Sequence, residues 1–263
     1  MSVSTDPTST VGDNYWVRLA FTPTSTLPSG GKIVISPISV KLKGSNCVSL
    51  ILESSLTAAV TCDYSSNTVT IVTGNSVSNP NQISFKIDKA LYNTQMSPKT
   101  ISVELWESDL CKIEQGSNAV DWKPANPATF TSLAFGILAT PNTVCSSGAL
   151  MWDIRPKLAI AISQLIVLEV VDGPTRVGGS LTITGLTSGS SGLNTVRGLT
   201  GGAWPISATA RVSAYYFTLP STEKSFSAKV TTYAGNSETA TDIVHQQTVT
   251  VTSPAVKSAL PFT

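Results

Sequence analysis

Charged residues are scarce in this chain of 263 residues: Asp, Glu, Lys and Arg together make up 13%, about half of the usual share of roughly 25%. The formal net charge is +1, and no block of Lys or Arg stands out, so the basic surface typical of a nucleic-acid-binding protein is not expected. Histidine occurs once, as His245, and no pair of cysteines has the CxxC spacing. A zinc site of the usual Cys/His type is therefore excluded.

Long apolar runs are also missing, and a membrane span is not expected. The longest apolar stretch, 158–171, is interrupted by Ser163, Gln164 and Glu169. The first ten residues contain neither a basic region nor an apolar run, so they do not resemble a signal peptide. No Asn-x-Ser/Thr sequon occurs, so N-linked sugar is not expected. Ser/Thr-rich stretches at 5–10 and 22–26 are candidate sites for O-linked glycans.

Catalytic and cofactor-binding motifs are absent from the sequence, which has neither a GxSxG nucleophile elbow nor a phosphate-binding loop with its lysine. The carboxylates Glu104, Glu107 and Asp109 lie near one predicted strand end, where we expect them to be solvated. His245 lies in the last predicted strand, and we expect an outward-facing polar residue there. The sequence therefore predicts a protein that is not an enzyme and that needs no cofactor or metal.

Short alternating segments dominate what is present. Tyr15, Val17, Leu19 and Phe21 recur at every second position, as a strand with one buried face requires. Similar segments follow at short intervals, separated by Gly, Pro, Asn and Ser, at 32–40, 47–53, 57–62, 67–73, 82–87, 99–106 and 128–138. This spacing is typical of an all-β sandwich.

The chain also repeats itself at an offset of 133 residues. The segment 32–35 falls on 165–168, and the alternating strand at 15–21 falls on 148–154. Each half is expected to end in a Thr-rich apolar strand, at 128–138 and at 243–252. The sequence thus predicts two tandem immunoglobulin-like β-sandwich domains, 1–135 and 136–263.

Four cysteines, Cys47, Cys62, Cys111 and Cys145, are an even number in a Ser/Thr-rich chain, which favours two disulfides in an oxidising compartment. Cys47 and Cys62 flank a predicted hairpin of 48–53 with 56–61, and a bond between them would close it. Cys111 and Cys145 are then left to pair with each other. Unbonded buried thiols are the alternative.

The motif Leu27–Ser36, LPSGGKIVIS, resembles a repeated extracellular module of surface proteins in ciliates, algae and oomycetes. The resembling parts are an alternating strand, the Pro-Ser-Gly-Gly turn with its strand, a Cys-bounded hairpin and a later turn that enters a strand: Tyr15–Thr22, Pro28–Ile35, Cys47–Cys62 and Ser97–Trp106. The second half keeps only the outline. The resemblance implies an immunoglobulin-like repeat on a cell surface or in a filament, and it implies no catalytic residue.

Two functions are compatible with these features, both extracellular or on the cell surface. The first is a structural subunit that assembles with other copies of itself into a helical filament, because an unpaired strand edge in one subunit accepts a strand from the next. The segments expected to link subunits are 1–12 and 253–263, through Val3, Thr5, Val11, Val256, Leu260 and Phe262.

The alternative function is a cell-surface adhesin or carbohydrate-binding module. It predicts that Trp122 or Trp204, both in loop-like sequence contexts, presents an exposed ring to a ligand. Trp106 and Trp152 lie in predicted strands, and we expect them to fill the cores.

Overall fold

The computed structural model describes residues 2–36, 41–42, 50–56, 61–65, 68–92, 95–97, 99–108, 110–120, 123–139, 147–171, 173, 175–176, 182–218 and 225–252. In these residues the chain forms β-strands and a short 3₁₀ helix, Ala240–Asp242. The sheets are antiparallel and open, which confirms the predicted all-β class. No helix of the described ranges has the length and apolar character needed to cross a membrane.

The chain divides into two compact units, Met1–Asn126 (unit 1) and Pro127–Thr263 (unit 2). The strands of unit 1 are β1 (Ser2–Thr5), β2 (Tyr15–Phe21), β3 (Lys32–Ser36), β4 (Lys41–Leu42), β5 (Leu50–Ser54), β6 (Thr61–Ser65), β7 (Thr68–Val72), β8 (Ile83–Tyr92), β9 (Lys99–Ser108) and β10 (Cys111–Val120). Those of unit 2 are β11 (Ser132–Ala139), β12 (Ser147–Arg155), β13 (Leu165–Val171), β14 (Thr175–Arg176), β15 (Ile183–Thr184), β16 (Leu186–Ser191), β17 (Thr195–Thr200), β18 (Ala210–Thr218), β19 (Ser225–Tyr233) and β20 (Ile243–Thr252).

Both units have the same topology. One sheet of unit 1 has the order β1-β2-β8-β4, with β5 also on β8, and the other has the order β10-β9-β3-β7-β6. In unit 2 the orders are β11-β12-β18-β14, with β15 also on β18, and β20-β19-β13-β17-β16. Strand for strand, unit 2 repeats unit 1, in agreement with the predicted internal repeat.

Each unit is an immunoglobulin-like sandwich with one addition. The first sheet has the A-B-E-D order of such sandwiches, and the second contains the C, F and G strands. Between D and E the chain inserts a hairpin, β6–β7 in unit 1 and β16–β17 in unit 2, that extends the second sheet beside the C strand. The predicted hairpin of 48–53 with 56–61 is wrong, because β5 pairs with β8 in the first sheet while β6 pairs with β7 in the second.

The division between the units comes before the predicted boundary at 135/136. The strand predicted to close the first half, 128–138, belongs instead to unit 2, where β11 pairs antiparallel along β12. Phe135 lies opposite Trp152 in that register, and its side chain packs on the core of unit 2. The strand that closes unit 1 is β10.

Alternating apolar residues fill the space between the two sheets of each unit. The core of unit 1 contains Tyr15, Val17, Leu19, Phe21, Leu27, Ile33, Ile35, Leu56, Val69, Ile71, Val77, Ile83, Phe85, Ile87, Ile101, Val103 and Leu105. The core of unit 2 contains Phe130, Leu150, Trp152, Ile154, Ile166, Leu168, Val170, Val196, Val212, Ala214, Phe217, Phe226 and Val230. The period of two places the intervening residues on the outer sheet faces.

Phe85 is fully buried in unit 1, so Phe85→Ala should lower the free energy of unfolding of that unit by about 3–5 kcal/mol. Chemical denaturation of the full chain measures this change. The matched control is Ile51→Ala on a neighbouring strand, because Ile51 is 45% exposed and its loss should cost less than about 1 kcal/mol. Equal losses in the two variants would contradict the assignment of the core.

Candidate functional site

A groove of about 410 Å³ opens on the second sheet of unit 2. Its lining comes from the start of β13, the inserted hairpin β16–β17 and the turn after β19. Leu165 and Arg197 alternate with residues of the core, so their side chains lie on the outer face of the sheet. The hairpin that distinguishes these units from a plain immunoglobulin-like sandwich therefore forms one side of the groove.

A bulge in β16 presents two hydroxyl groups to the groove. The register of β16 with β17 shifts between Thr187 and Ser190, and Ser188 between them has φ +50°, a left-handed conformation that non-glycine residues rarely adopt. Gly189 follows because a Cβ there would lie 2.5 Å from Cδ1 of Ile183. The bulge re-aims the strand, and Ser188 and Ser190 both line the groove.

The floor of the groove is apolar. Leu165 lies opposite Leu199 in the pairing of β13 with β17, and both line the groove. Gly198 lets the hairpin pack closely, because a Cβ at this position would come within 2.8 Å of Cβ of Leu186. The floor thus depends on a glycine in the strand interior, where close approach of a neighbour excludes larger residues.

An ion pair and a well-anchored turn form the opposite wall. Arg197 Nε donates to Oε1 of Glu238, and this hydrogen bond raises the pKa of Arg197 above its usual value. The turn carrying Glu238 is held by Leu165 N–H donating to Gly235 O at 2.8 Å and by Ala234 N–H donating to Asp242 O at 2.7 Å. Since both charged side chains are about 40% exposed, the pair contributes at most about 1 kcal/mol to stability and remains accessible to a ligand.

The groove combines polar side chains with an apolar floor. Hydrogen bonds within the described part of the chain leave the side chains of Ser188, Ser190 and Asn236 unengaged, so two hydroxyls and an amide line an apolar floor beside a charged pair. A nucleophilic serine would need a general base within hydrogen-bond reach, and the side chains lining the groove include no histidine. Across the described ranges, no cluster of three or more His, Cys, Asp or Glu side chains is placed to hold a metal ion.

The tryptophans follow the sequence prediction only in part. Trp204 is half-buried, pairs through its backbone with Ile160 and packs against the core of unit 2, so it does not present a free ring as the adhesin hypothesis expects. Trp122 lies outside the described residues. Trp152 fills the core as predicted, being fully buried.

Trp106 was expected in the core, and this prediction is wrong. Ile101, Val103 and Leu105 face the core of unit 1, so the next residue, Trp106, lies on the outer face. Its Nε1 donates to Glu104 at 3.0 Å, and the ammonium of Lys112 sits 5.4 Å from the ring centre. Lys112 therefore covers the indole ring, which does not offer an open face for stacking on a ligand.

His245 was expected to point outward, and the structure corrects this too. Its side chain is fully buried. Nε2 accepts the N–H of Leu158 at 3.1 Å, and Nδ1 lies 2.9 Å from the hydroxyl of Thr232. The ring of Phe130 stacks on the imidazole with centroids 4.9 Å apart. Burial, with a smaller contribution from Lys157, lowers the pKa of His245 to about 4.

The sequence signal for this burial was available in part. From Thr252 back to His245 the pairing of β20 with β19 runs without a shift, so His245 shares the face of Val249 and Val251, which lie opposite the buried Ala228 and Phe226. The sequence prediction overlooked this alternation. The prediction also failed because the segment around Ala128, which bridges His245 through its backbone, was assigned to the wrong domain.

Among the four cysteines, the structure describes the side chain of Cys111. Cys111 is exposed and carries a free thiol, so the disulfide expected between Cys111 and Cys145 is not formed at this residue. Cys47, Cys145 and the side chain of Cys62 lie outside the described residues, and the bond between Cys47 and Cys62 stays a prediction.

Three of the proposed linking residues, Val3, Thr5 and Val11, lie in the described part of unit 1. Val3 and Thr5 lie in β1, which pairs with β2 of the same unit, opposite Leu19 and Val17. Val11 is fully buried in unit 1. Val256, Leu260 and Phe262 lie outside the described residues. The N-terminal part of the linking hypothesis therefore finds its strand engaged within its own sandwich.

Comparisons with known proteins add little to this geometry. No family model matches the chain, and no curated protein matches it. Among solved structures, a chain described as BspA_C_mut has 6% identity and a TM-score of 0.31, with 92% of this chain and 93% of that chain covered. The collagen-binding domain of the Erysipelothrix rhusiopathiae surface protein RspB has 11% identity and a TM-score of 0.29, covering 96% and 92%.

A third structure, the C-terminal domain of the Streptococcus pyogenes antigen I/II-family protein AspA, has 9% identity and a TM-score of 0.30, covering 95% of this chain and 98% of that one. Likenesses this weak carry no argument about the ligand of this chain. The resemblance to surface modules of ciliates, algae and oomycetes stays a prediction.

The buried imidazole predicts an acid-sensitive unit 2. The folded-state pKa of about 4 lies below the unfolded value of about 6.5, so the unfolded chain binds the extra proton first as the pH falls. The free energy of unfolding should fall by about 3 kcal/mol between pH 6.5 and pH 4, and this loss should be complete below pH 4. Denaturant unfolding across this range measures it. In His245→Gln, which retains a side-chain acceptor for Leu158 N–H, this loss should disappear, and an unchanged pH profile would reject the assignment.

Proposed function

We propose that this chain is a non-catalytic, adhesin-like module of a cell-surface or extracellular protein, and that the groove of unit 2 binds an extended segment of a partner polypeptide. The observation that carries the proposal is the groove itself: an opening of about 410 Å³ on a sheet face, with an apolar floor and unengaged hydrogen-bonding groups along its walls. Binding sites are typically concave and apolar with a few placed polar groups.

An extended polypeptide fits the chemistry of the groove. Apolar side chains of such a segment would pack on Leu165 and Leu199. Its backbone N–H and C=O groups would form hydrogen bonds with Ser188, Ser190 and Asn236. The exposed pair of Arg197 and Glu238 offers both signs of charge at the rim. A glycan fits less well, because no aromatic ring lines this groove for a sugar to stack on.

A rigid scaffold also supports a binding role. The groove residues come from paired strands and from a turn held by backbone hydrogen bonds, so little conformational entropy is lost when a ligand binds. The low charge of the chain, 13%, leaves a surface of hydroxyls and amides that has weak electrostatic preferences. Selectivity would then come from shape and hydrogen bonding at the groove.

The test is a selection of extended peptides against the full chain from a displayed random-peptide library, in parallel with a glycan array. Selected peptides should lose about tenfold or more in affinity with Ser190→Trp, since the indole fills the groove. The control, Thr250→Trp, places the same side chain at an exposed position of β20 and should bind normally.

Two results would overturn the proposal. One is saturable binding on the glycan array with no peptide selected, and the other is peptide binding that survives Ser190→Trp. Calorimetric titration of each variant distinguishes them, and circular dichroism checks that each variant is folded.

A self-assembling fibril subunit is the second candidate, and it depends on the chain ends acting between molecules. For residues 1–12, β1 and Val11 instead contribute to unit 1, where Val11 N–H donates to Asn126 O at 2.9 Å. Deletion of 1–12 should therefore destabilise unit 1 by about 3 kcal/mol or more, since it removes a fully buried valine and a paired strand. Thermal unfolding measures this. A deletion that abolishes filaments seen by electron microscopy while leaving stability unchanged would favour the fibril function instead.

A further inference from the structure

A second opening, of about 120 Å³, lies in unit 1. Apolar side chains of Phe21, Val103 and Leu105 form its base, and Glu114 and Gly116 of β10 form its rim. β10 is the last strand of its sheet, and among the described residues no strand pairs with its outer edge. We call this opening the β10 slot.

The repeat of the two units gives the slot an exact counterpart in unit 2. At the offset of 133 residues, Ile33 of β3 corresponds to Ile166 of β13. The registers across each sheet then pair the following positions, with unit 1 first: Phe21 with Ile154, Leu105 with Thr232, Glu114 with His245 and Gly116 with Gln247. Both last strands also carry a register shift at the same point, just before Glu114 and just before His245.

The equivalence extends to a hydrogen bond at the turn after the second strand. In unit 1, the Glu114 carboxylate accepts the N–H groups of Thr24 and Ser25, at 2.8 and 3.3 Å. In unit 2, His245 accepts the N–H of Leu158, which corresponds to Ser25 at the offset of 133. The walls around the two positions are therefore built in the same way.

In unit 2 this position is filled by the chain itself. The segment 127–130 runs parallel to β20: Ala128 N–H donates to Val244 O, and Gln246 N–H donates to Ala128 O, both at 2.9 Å. Phe130 N–H donates to Oε1 of Gln247 at 2.9 Å. The Phe130 ring stacks on His245 and is buried in the core of unit 2.

Unit 1 has no described residue in the place of Phe130. β1 continues toward the N-terminus with Ser2 opposite Ala20, and β11 has Leu133 opposite Ile154. In this register a segment equivalent to 127–130 would join β1 with its aromatic residue three positions ahead of position 1. A Cβ built on Gly116, on the opposite side of the slot, meets no atom within 4 Å.

We propose that the β10 slot is a docking site for an extended segment of another polypeptide that carries an aromatic side chain, as 127–130 does in unit 2. The segment lies parallel to β10 and pairs with the backbone of Ile113 and Gln115, the counterparts of Val244 and Gln246. Its aromatic ring enters the slot above Leu105 and beside Glu114. An added strand satisfies an open sheet edge while a pocket selects its side chain, and this site is separate from the groove of unit 2.

The experiment titrates the full chain, labelled with ¹⁵N, with a synthetic peptide of residues 125–132, Ala-Asn-Pro-Ala-Thr-Phe-Thr-Ser. We expect saturable shifts of the Gln115 and Gly116 amides, and a peptide with Ala in place of Phe should bind about tenfold more weakly or worse. Gly116→Leu fills the slot from within and should abolish binding. The matched control is Ser117→Leu, which adds the same side chain to the opposite face of β10 and should bind normally.

A peptide of residues 253–263 forms a separate arm, which tests whether a second copy supplies the segment. Saturable shifts at the same two amides would identify the tail as the occupant, and a response confined to the Phe peptide would assign the site to other partners. Binding of the Phe and Ala peptides with equal affinity, or binding unaffected by Gly116→Leu, would overturn the proposal.

A fusion that joins the peptide covalently to the chain allows the slot to be tested even if the free peptide binds weakly. In this fusion, a copy of residues 125–132 is placed directly before Met1. Its phenylalanine then lies three positions ahead of Met1, the same spacing as between Phe130 and Leu133. This fusion should raise the thermal midpoint of unit 1 by about 5 °C and slow exchange of the Gln115 amide. The same fusion with Ala for Phe is the control. Equal midpoints for the two fusions, together with no shift by the peptide, would reject the slot as a binding site.

Discussion

The burial of every second side chain between two facing sheets is the constraint on which this structure depends. A chain with so few charges stabilises itself almost entirely through apolar contact, and a strand can offer only one of its faces to a core. Val17 and Leu19 in unit 1 and their counterparts Leu150 and Trp152 in unit 2 meet this requirement with different side-chain volumes. The same topology therefore closes around two differently packed cores.

The inserted hairpin forms one side of the groove of unit 2. β16–β17 extends the second sheet past β13, and its bulge interrupts the regular surface that a flat strand would present. The outer face of a sheet normally offers little concavity. Here the bulged strand on one side and the turn around Glu238 on the other raise two walls above Leu165 and Leu199. The groove thus follows from an insertion placed beside the C strand.

Sequence alone predicts the parts of this structure that depend on local periodicity. The alternation in β2 and the repeat at 133 residues identify β2 with β12 and β3 with β13, and the structure has all four strands. The pairing of strands cannot be predicted in the same way. The segment 128–138 has the pattern of a strand, which fits either domain, and only its pairing with β12 assigns it to unit 2. The face that His245 occupies follows from alternation with Val249 and Val251, but its full burial depends on the covering segment 127–130, which leaves no periodic trace. The outward position of Trp106 could have been predicted, because it directly follows the inward-facing series of Ile101, Val103 and Leu105.

The two units differ in what covers the outer edge of the last strand of the second sheet. An outer strand edge leaves backbone groups unpaired and exposes part of the core beside it. Unit 2 covers that edge with the segment that joins it to unit 1, and the covering residue, Phe130, makes a neutral, buried His245 possible at the strand. In unit 1 the equivalent position holds Glu114, a carboxylate that keeps some contact with solvent while it holds the turn at Thr24. A carboxylate suits an edge that is open to water, and an imidazole suits one that is closed, since burying an ionised group without a counter-charge is far more costly than burying a neutral one. The residue at this position therefore matches the surroundings of its strand, with His245 where 127–130 covers the edge and Glu114 where no described residue does.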